Sequence, residues 1–363
     1  MRSLAAALVP ALLTAVLGSA PSALARTRDP RSIEVARALR IGAGPGPNRL
    51  FGLSSPGPDR GLATATATAS GLGHQLGVLN FYEAWSLFQP LPVDSLREIA
   101  ARGALPEITW EPWEPRGSQH EPDYTPARIA SGAFDSYLDW WARDAAAYHA
   151  PVVMRFAHEM NCACYPWAPS INGDSPAAYV AAWRHVHDRF TAAGASNVIW
   201  VWSPNLVTGQ TTPLSSLYPG DSDVDVVAVD GYNYGADEPD WGGWNRPHRL
   251  FAETIAQVER LAPGKPLWIN ETGSTEHGGD KARWIEELFD YLATTRVTGL
   301  IWFDFATPGE PDFRLASSPA SFAAASDGLR RWTTGQPSAQ SLEHRRPTAH
   351  RRPYLDASDQ PSE

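Results

Sequence analysis

The sequence predicts an α/β protein, a single (β/α)8 barrel, and three observations carry that prediction. A chain of 363 residues suits one barrel with trimmings. Eight strand-like runs alternate with helix-like runs, which implies a parallel sheet with helices outside it. An open doubly wound sheet is disfavoured, because no early strand is followed by a glycine-rich phosphate turn.

Taken in order, residues 1–25 begin with Met1-Arg2, continue through an apolar run and end in Ala23-Leu24-Ala25. That pattern is an export signal with cleavage before Arg26. Residues 26–48 contain "IGAGPGPNR" and read as a Gly/Pro-rich linker. The barrel is expected over 49–335, with strands at 49–55, 76–85, 105–113, 151–161, 197–205, 224–233, 266–273 and 298–306. Each run carries an aromatic residue and is bounded by Gly, Pro or Asn, and all but the first carry β-branched residues. Asp94 and Ser175-Pro176 mark helix starts, and Gly103, Gly194 and Gly264 mark helix stops. The first crossover, "DRGLATATATASGLGH", reads as a poor helix. Residues 336–363 are rich in Pro, Ser, Gln and Arg and read as a disordered basic tail.

A formal charge of −10 argues against nucleic acid or an anionic membrane as the main partner, since phosphate binding needs a clustered basic surface. No apolar run after the signal is long enough to span a bilayer. The expected product is therefore soluble, secreted and monomeric. Its 15 tryptophans suit a protein that stacks the apolar faces of sugar rings, with about half of them expected in the core.

The chemistry centres on "MRFAHEMN" and "PLWINETG". With a period of two, Arg155, Ala157 and Glu159 share one strand face, which sends an arginine and a glutamate toward the barrel mouth. Glu271 ends the strand three units later. Two carboxyls across a barrel mouth are what a retaining glycosidase needs, one acid/base and one nucleophile roughly 5 to 5.5 Å apart. Arg155 and Tyr232 are expected to hold Glu271 anionic as the nucleophile. Glu159 must be protonated to donate to the leaving oxygen, which asks for a less polar pocket. Phe81, Glu83 and Trp85 end the second strand and are further candidates for the cleft wall. Asp230 shares strand parity with Tyr232 and is read equally as site support or structure.

The segments "RFAHEMN…YPW", "WVWSPN", "DVVAVDGYN", "PLWINETG", "IWFD" and "DFRLASSP", in this order and spacing, resemble glycoside hydrolase family 26 over residues 49–335. The resemblance implies a retaining (β/α)8 glycosidase acting on a β-linked polysaccharide, most often β-1,4-mannan. It assigns Glu159 as acid/base and Glu271 as nucleophile, and implies no metal or organic cofactor. It also places His158, Asn161, Trp167 and Tyr232 in the substrate site. Trp302 becomes the floor of the subsite where the bond breaks, Trp110 the glycone border, and Arg314 the contact to a distal sugar.

Two departures stand out. Phe313 occupies a position where the family more often has tryptophan. Cys162, Ala163 and Cys164 replace a stretch ending in a stacking tryptophan, a loss of about 1 to 2 kcal/mol of sugar contact. The two cysteines leave three states open: a strained bridge, free or intermolecular thiols, and a metal site with His158. On the same machinery, a β-1,3/1,4-glucanase or β-xylanase is the alternative enzyme, and a non-catalytic polysaccharide-binding barrel is the alternative from another class.

Overall fold

The computed structural model describes residues 30–39, 49–236, 238–307 and 309–336. The export signal and the tail beyond Gln336 lie outside the described residues. Eight parallel strands form a closed barrel in sequence order: β1 (Leu50–Ser55), β2 (Val78–Ala84), β3 (Leu105–Glu111), β4 (Val152–Phe156), β5 (Val198–Trp202), β6 (Val226–Asn233), β7 (Leu267–Ser274) and β8 (Val297–Phe303). Every strand lies inside its expected run or passes it by one residue, and β4 ends at Phe156, five residues short of the expected 161, so Ala157 and Glu159 lie beyond the strand rather than on it.

Helix α1 (Pro30–Ala38) precedes the barrel. The crossovers are carried by α2 (Pro58–Gly71), α3 (Val93–Ala101), α4 (Pro126–Ala130), α5 (Asp135–Tyr148), α6 (Pro176–Ala192), α7 (Pro247–Leu261) and α8 (Lys281–Leu292), and α9 (Pro319–Thr334) follows the last strand. The Ser175 side chain caps α6 by accepting from the Ala178 N–H, so the helix starts where the sequence placed it.

Two expectations are corrected here. The stretch read wholly as a linker contains α1, whose Val35 and Ala38 pack with Leu50, Val78, Leu105 and Val153 at the N-terminal ends of the strands. The helix closes the floor of the barrel with apolar surface, which a linker reading based on Gly and Pro does not weigh. The first crossover is a regular helix of 14 residues despite its threonines, because Leu62, Ala65 and Ala69 bury one face against the sheet.

Two cores divide the labour. Outside the strands, a large aromatic and aliphatic layer packs the helices onto the barrel, and Trp110, Trp141, Trp183 and Trp284 all lie in it. Inside, aliphatic side chains such as Val153, Ile199 and Ile301 fill the lower levels. Above them the interior turns polar, with Asn80, Glu107, Thr109, Arg155, Ser203, Asp230 and Asn270 all fully buried.

Candidate active site

Two local irregularities deliver the central carboxyls. Strand β7 pairs Ile269 with Val229 and then Glu271 with Asp230, so Asn270 is an extra residue in the ladder with β6. Strict alternation after Trp268 would turn Asn270 inward and Glu271 outward; the bulge lets both reach the interior. On the opposite side, β4 ends at Phe156, and Ala157 and Glu159 adopt positive φ of 45° and 53°. Their backbone N–H groups donate to Trp110 O at 3.1 Å and Ser203 O at 2.7 Å, which holds this uncommon path in place. The turn brings His158 and Glu159 into the cleft together, where a regular strand would have put them on opposite faces.

The cleft has a volume of about 490 Å³ and lies at the C-terminal ends of the strands. Glu271 is held there by donors from three directions: Tyr82 Oη donates to its Oε1 at 2.7 Å, Tyr232 Oη to its Oε2, and Arg155 Nη2 to its Oε1. Arg155 is itself fixed, donating through Nη1 to Asp230 at 3.0 Å and through Nε to Thr109 at 3.0 Å. Burial alone would lower the guanidinium pKa, but Glu271 and Asp230 hold it well above its ordinary value. A permanent cation thus sits directly beneath Glu271.

Glu159 is treated in the opposite way. Burial first, and the charge of Glu271 second, push its carboxyl up to about 7. Aromatic side chains Trp113 and Tyr165 line this end of the cleft, and Trp167 stacks behind Tyr165 at 4.5 Å and 5°. His158 Nε2 lies 3.2 Å from Tyr165 Oη, and burial followed by the Arg155 charge lowers the imidazole pKa well below its usual range, so the ring is neutral.

The expected residues divide clearly. Glu159, Glu271, His158 and Tyr232 line the cleft, and Arg155 lies under it. Five others do not line it. Trp110 faces the helices and stacks on Trp141 at 4.5 Å, because inward positions of β3 fall on Glu107, Thr109 and Glu111. Trp302 likewise points to α8, contacting Trp284 and donating to Phe313 O at 2.7 Å; its neighbour Phe303 is the cleft residue. Trp167 is fully buried and donates to His158 O at 2.6 Å, so it braces the wall. Asn161 joins the loop after β4 to the end of β5, its Nδ2 donating to Asn205 O and its Oδ1 accepting from Asn205 N, both at 2.8 Å. Arg314 is paired with Asp312 beside a separate hollow against β1 and α2. Phe81 and Trp85 are in the outer core, leaving Tyr82 as the inward residue of that strand end.

Glu111, Glu107, Tyr82 and Tyr234 went unread in the sequence, and Phe313 was noted there only as a departure from the family. Glu111 lines the cleft, and burial pushes its carboxyl up to about 8; Glu107 lies deeper, pushed up to about 7 by burial. Phe313 and Tyr234 complete the opposite wall, the Phe313 ring standing where a Cβ on Gly273 would lie only 2.7 Å from it. The signal that finds Tyr82 and Glu111 is strand register: Thr109 pairs with both Tyr82 and Arg155, and inward positions repeat every second residue from there. Cys162 and Cys164 form a disulfide on the loop just beyond Glu159.

Comparison with known proteins agrees with this arrangement. The profile of Glycosyl hydrolase family 26 matches residues 128–274, a span that includes both Glu159 and Glu271. Endoglucanase H of Acetivibrio thermocellus is 34% identical over 258 residues, 69% of this chain and 27% of that protein. Mannan endo-1,4-beta-mannosidase A and B of Caldalkalibacillus mannanilyticus is 33% identical over 130 residues, 34% of this chain and 22% of that protein. The chain thus spans about a quarter of the length of these relatives. Among solved structures, the GH26 β-mannanase of Bacteroides ovatus superposes with a TM-score of 0.59 at 20% identity, covering 84% of this chain and 93% of that one. The modular endo-β-1,4-mannanase of Cellulomonas fimi gives 0.61 at 18% identity, covering 81% and 73%. With its closed parallel barrel and a profile match that spans both central carboxyls, the chain is similar to glycoside hydrolase family 26.

Proposed function

We propose that this protein is a retaining endo-glycosidase that cleaves β-linked polysaccharide, first of all β-1,4-mannan, by double displacement. The observation that carries the reading is the contrast between two carboxyls in one cleft: Glu271 gathers a cation and two phenols, while Glu159 is desolvated and pushed up to about 7. In the first step Glu271 attacks the anomeric carbon while Glu159 gives its proton to the departing glycosidic oxygen. In the second, Glu159 takes a proton from water, which displaces Glu271 from the sugar. Arg155, Tyr82 and Tyr232 orient the Glu271 carboxylate and receive its charge again when it leaves. The export signal read in residues 1–25 supports an extracellular enzyme acting on polymer outside the cell.

A second reading is favoured by one observation: the longer of the two matches is to a protein named Endoglucanase H. On that reading the same carboxyls cut a β-glucan with 1,3 and 1,4 linkages. Assay against mannan, mixed-linked glucan, xylan and cellulose separates the two, and silence across the whole panel rejects an enzyme. Proton NMR of the first reducing sugar released is expected to show the β anomer; an initial α anomer rejects the retaining mechanism.

A further inference from the structure

The loop beyond the acid Glu159 places two sulfurs that sugar chemistry does not use beside a carboxylate that it does. Oxygen of the Glu159 carboxylate and the sulfurs of Cys162 and Cys164 all lie within 4.8 Å of one another. Cys162 Sγ is also 3.1 Å from the Glu159 carbonyl oxygen, and Cys162 N donates to that oxygen at 3.2 Å, so the turn holds the sulfurs against the glutamate. In the structure the sulfurs are joined to each other and offer no thiolate. Opening the bridge changes the chemistry of the cluster completely. Two thiolates and a carboxylate are a set that a thiophilic divalent cation such as zinc takes up, leaving its fourth position for water.

We infer that Glu159, Cys162 and Cys164 form a redox-gated inhibitory site for zinc: absent while the cysteines are bridged, present once they are reduced. A dithiol or phosphine reductant supplies two electrons, and two protons complete the thiols as the S–S bond breaks. Zinc then binds with release of the two thiol protons and any proton on Glu159, and three Zn–ligand bonds form. A Glu159 carboxylate committed to zinc has no proton to give to a leaving group. This inference deepens the reading of Glu159 as the acid, so binding and activity are measured separately.

The test uses the whole protein in its bridged form and after reduction with a phosphine that is then removed, each titrated with zinc chloride. Cadmium chloride serves as the optical probe, through the ultraviolet charge-transfer band of cadmium thiolates. The reduced protein is expected to bind one metal ion per chain, to show the thiolate band and to lose hydrolysis as the site fills, with recovery on adding a chelator. The bridged protein is expected to show no band and to keep its activity at the same zinc concentration. Cys164→Ser is expected to retain hydrolysis without metal and to need at least about tenfold more zinc for inhibition. Absence of the band in the reduced protein overturns the site. A full band with undiminished hydrolysis overturns the commitment of Glu159 to the metal. Metal uptake in a protein that hydrolyses no polysaccharide of the panel leaves the cation site standing and rejects the glycosidase reading alone. The bridged and reduced wild-type pair carries the test even where a cysteine variant does not fold.

Discussion

The two ends of the cleft handle the same side chain in opposite ways. At the β7 end, Glu271 receives two phenolic donors and the guanidinium of Arg155, which Asp230 anchors from behind. At the β4 end, Glu159 has Trp113, Tyr165 and a neutral His158 for company and keeps its proton to about pH 7. The difference teaches that the role of a carboxyl is set by what faces it. Arg155 also counts in this contrast, because its ion pairs go to Glu271 and Asp230, while at Glu159 its charge opposes the rise less than burial and Glu271 drive it.

The contrast can be broken most severely from the nucleophile end. Glu271→Ala is expected to reduce kcat by at least about 10⁴-fold, since no other side chain then forms the covalent intermediate; near-normal turnover overturns the assignment. Next comes Glu159→Gln, expected to lower hydrolysis of polysaccharide by roughly 10²- to 10⁴-fold. Hydrolysis of an aryl glycoside with an acidic phenol as leaving group should suffer far less in its first step, and equal losses on both substrates would remove Glu159 from the donor role.

A gentler probe is pH. Because Glu159 is raised to about 7 and is needed in its protonated form, kcat/KM should fall as pH rises through about 7, approaching tenfold per pH unit above it. Glu111→Gln should leave that fall in place, whereas loss of the alkaline limb in this variant would transfer the ionisation to Glu111. The smallest expected effect tests the cradle itself. Tyr82→Phe removes one donor from Glu271 and should cost roughly 10- to 100-fold in kcat/KM with little change in thermal unfolding. An unchanged rate would show that Tyr232 and Arg155 suffice.

How much of this was legible in the sequence depends on the length scale. Strand–helix alternation fixes the barrel, because burial of both sheet faces leaves a pattern over many residues. Glu159, Glu271, Arg155 and Tyr232 were legible from motif and strand-end position. Trp110 and Trp302 were misassigned by a single residue of phase, and in a strand one residue is the difference between the cleft and the helices. Glu111 and Phe303, their neighbours, occupy the cleft. Tyr82 was hidden because its partner lies 189 residues away, and only the barrel's closure brings them together. The bulge at Asn270 and the left-handed turn at Glu159 have no sequence signal in glycine or proline. Aromatic content proved a weak guide: most of the tryptophans it drew attention to stabilise the outer core.

One tryptophan differs from that group. Ten indoles are fully buried among the described residues, while Trp241 is 59% exposed at the rim of the cleft and meets Tyr234 edge-on at 5.3 Å. Water quenches and red-shifts the light emitted by such a side chain, and a polysaccharide lying across it displaces that water. The protein therefore carries its own optical reporter of occupancy. Comparison of emission from wild type and Trp241→Phe, during titration with a non-hydrolysed chain on the Glu271→Ala background, reads saturation of the cleft directly, with no label and no turnover.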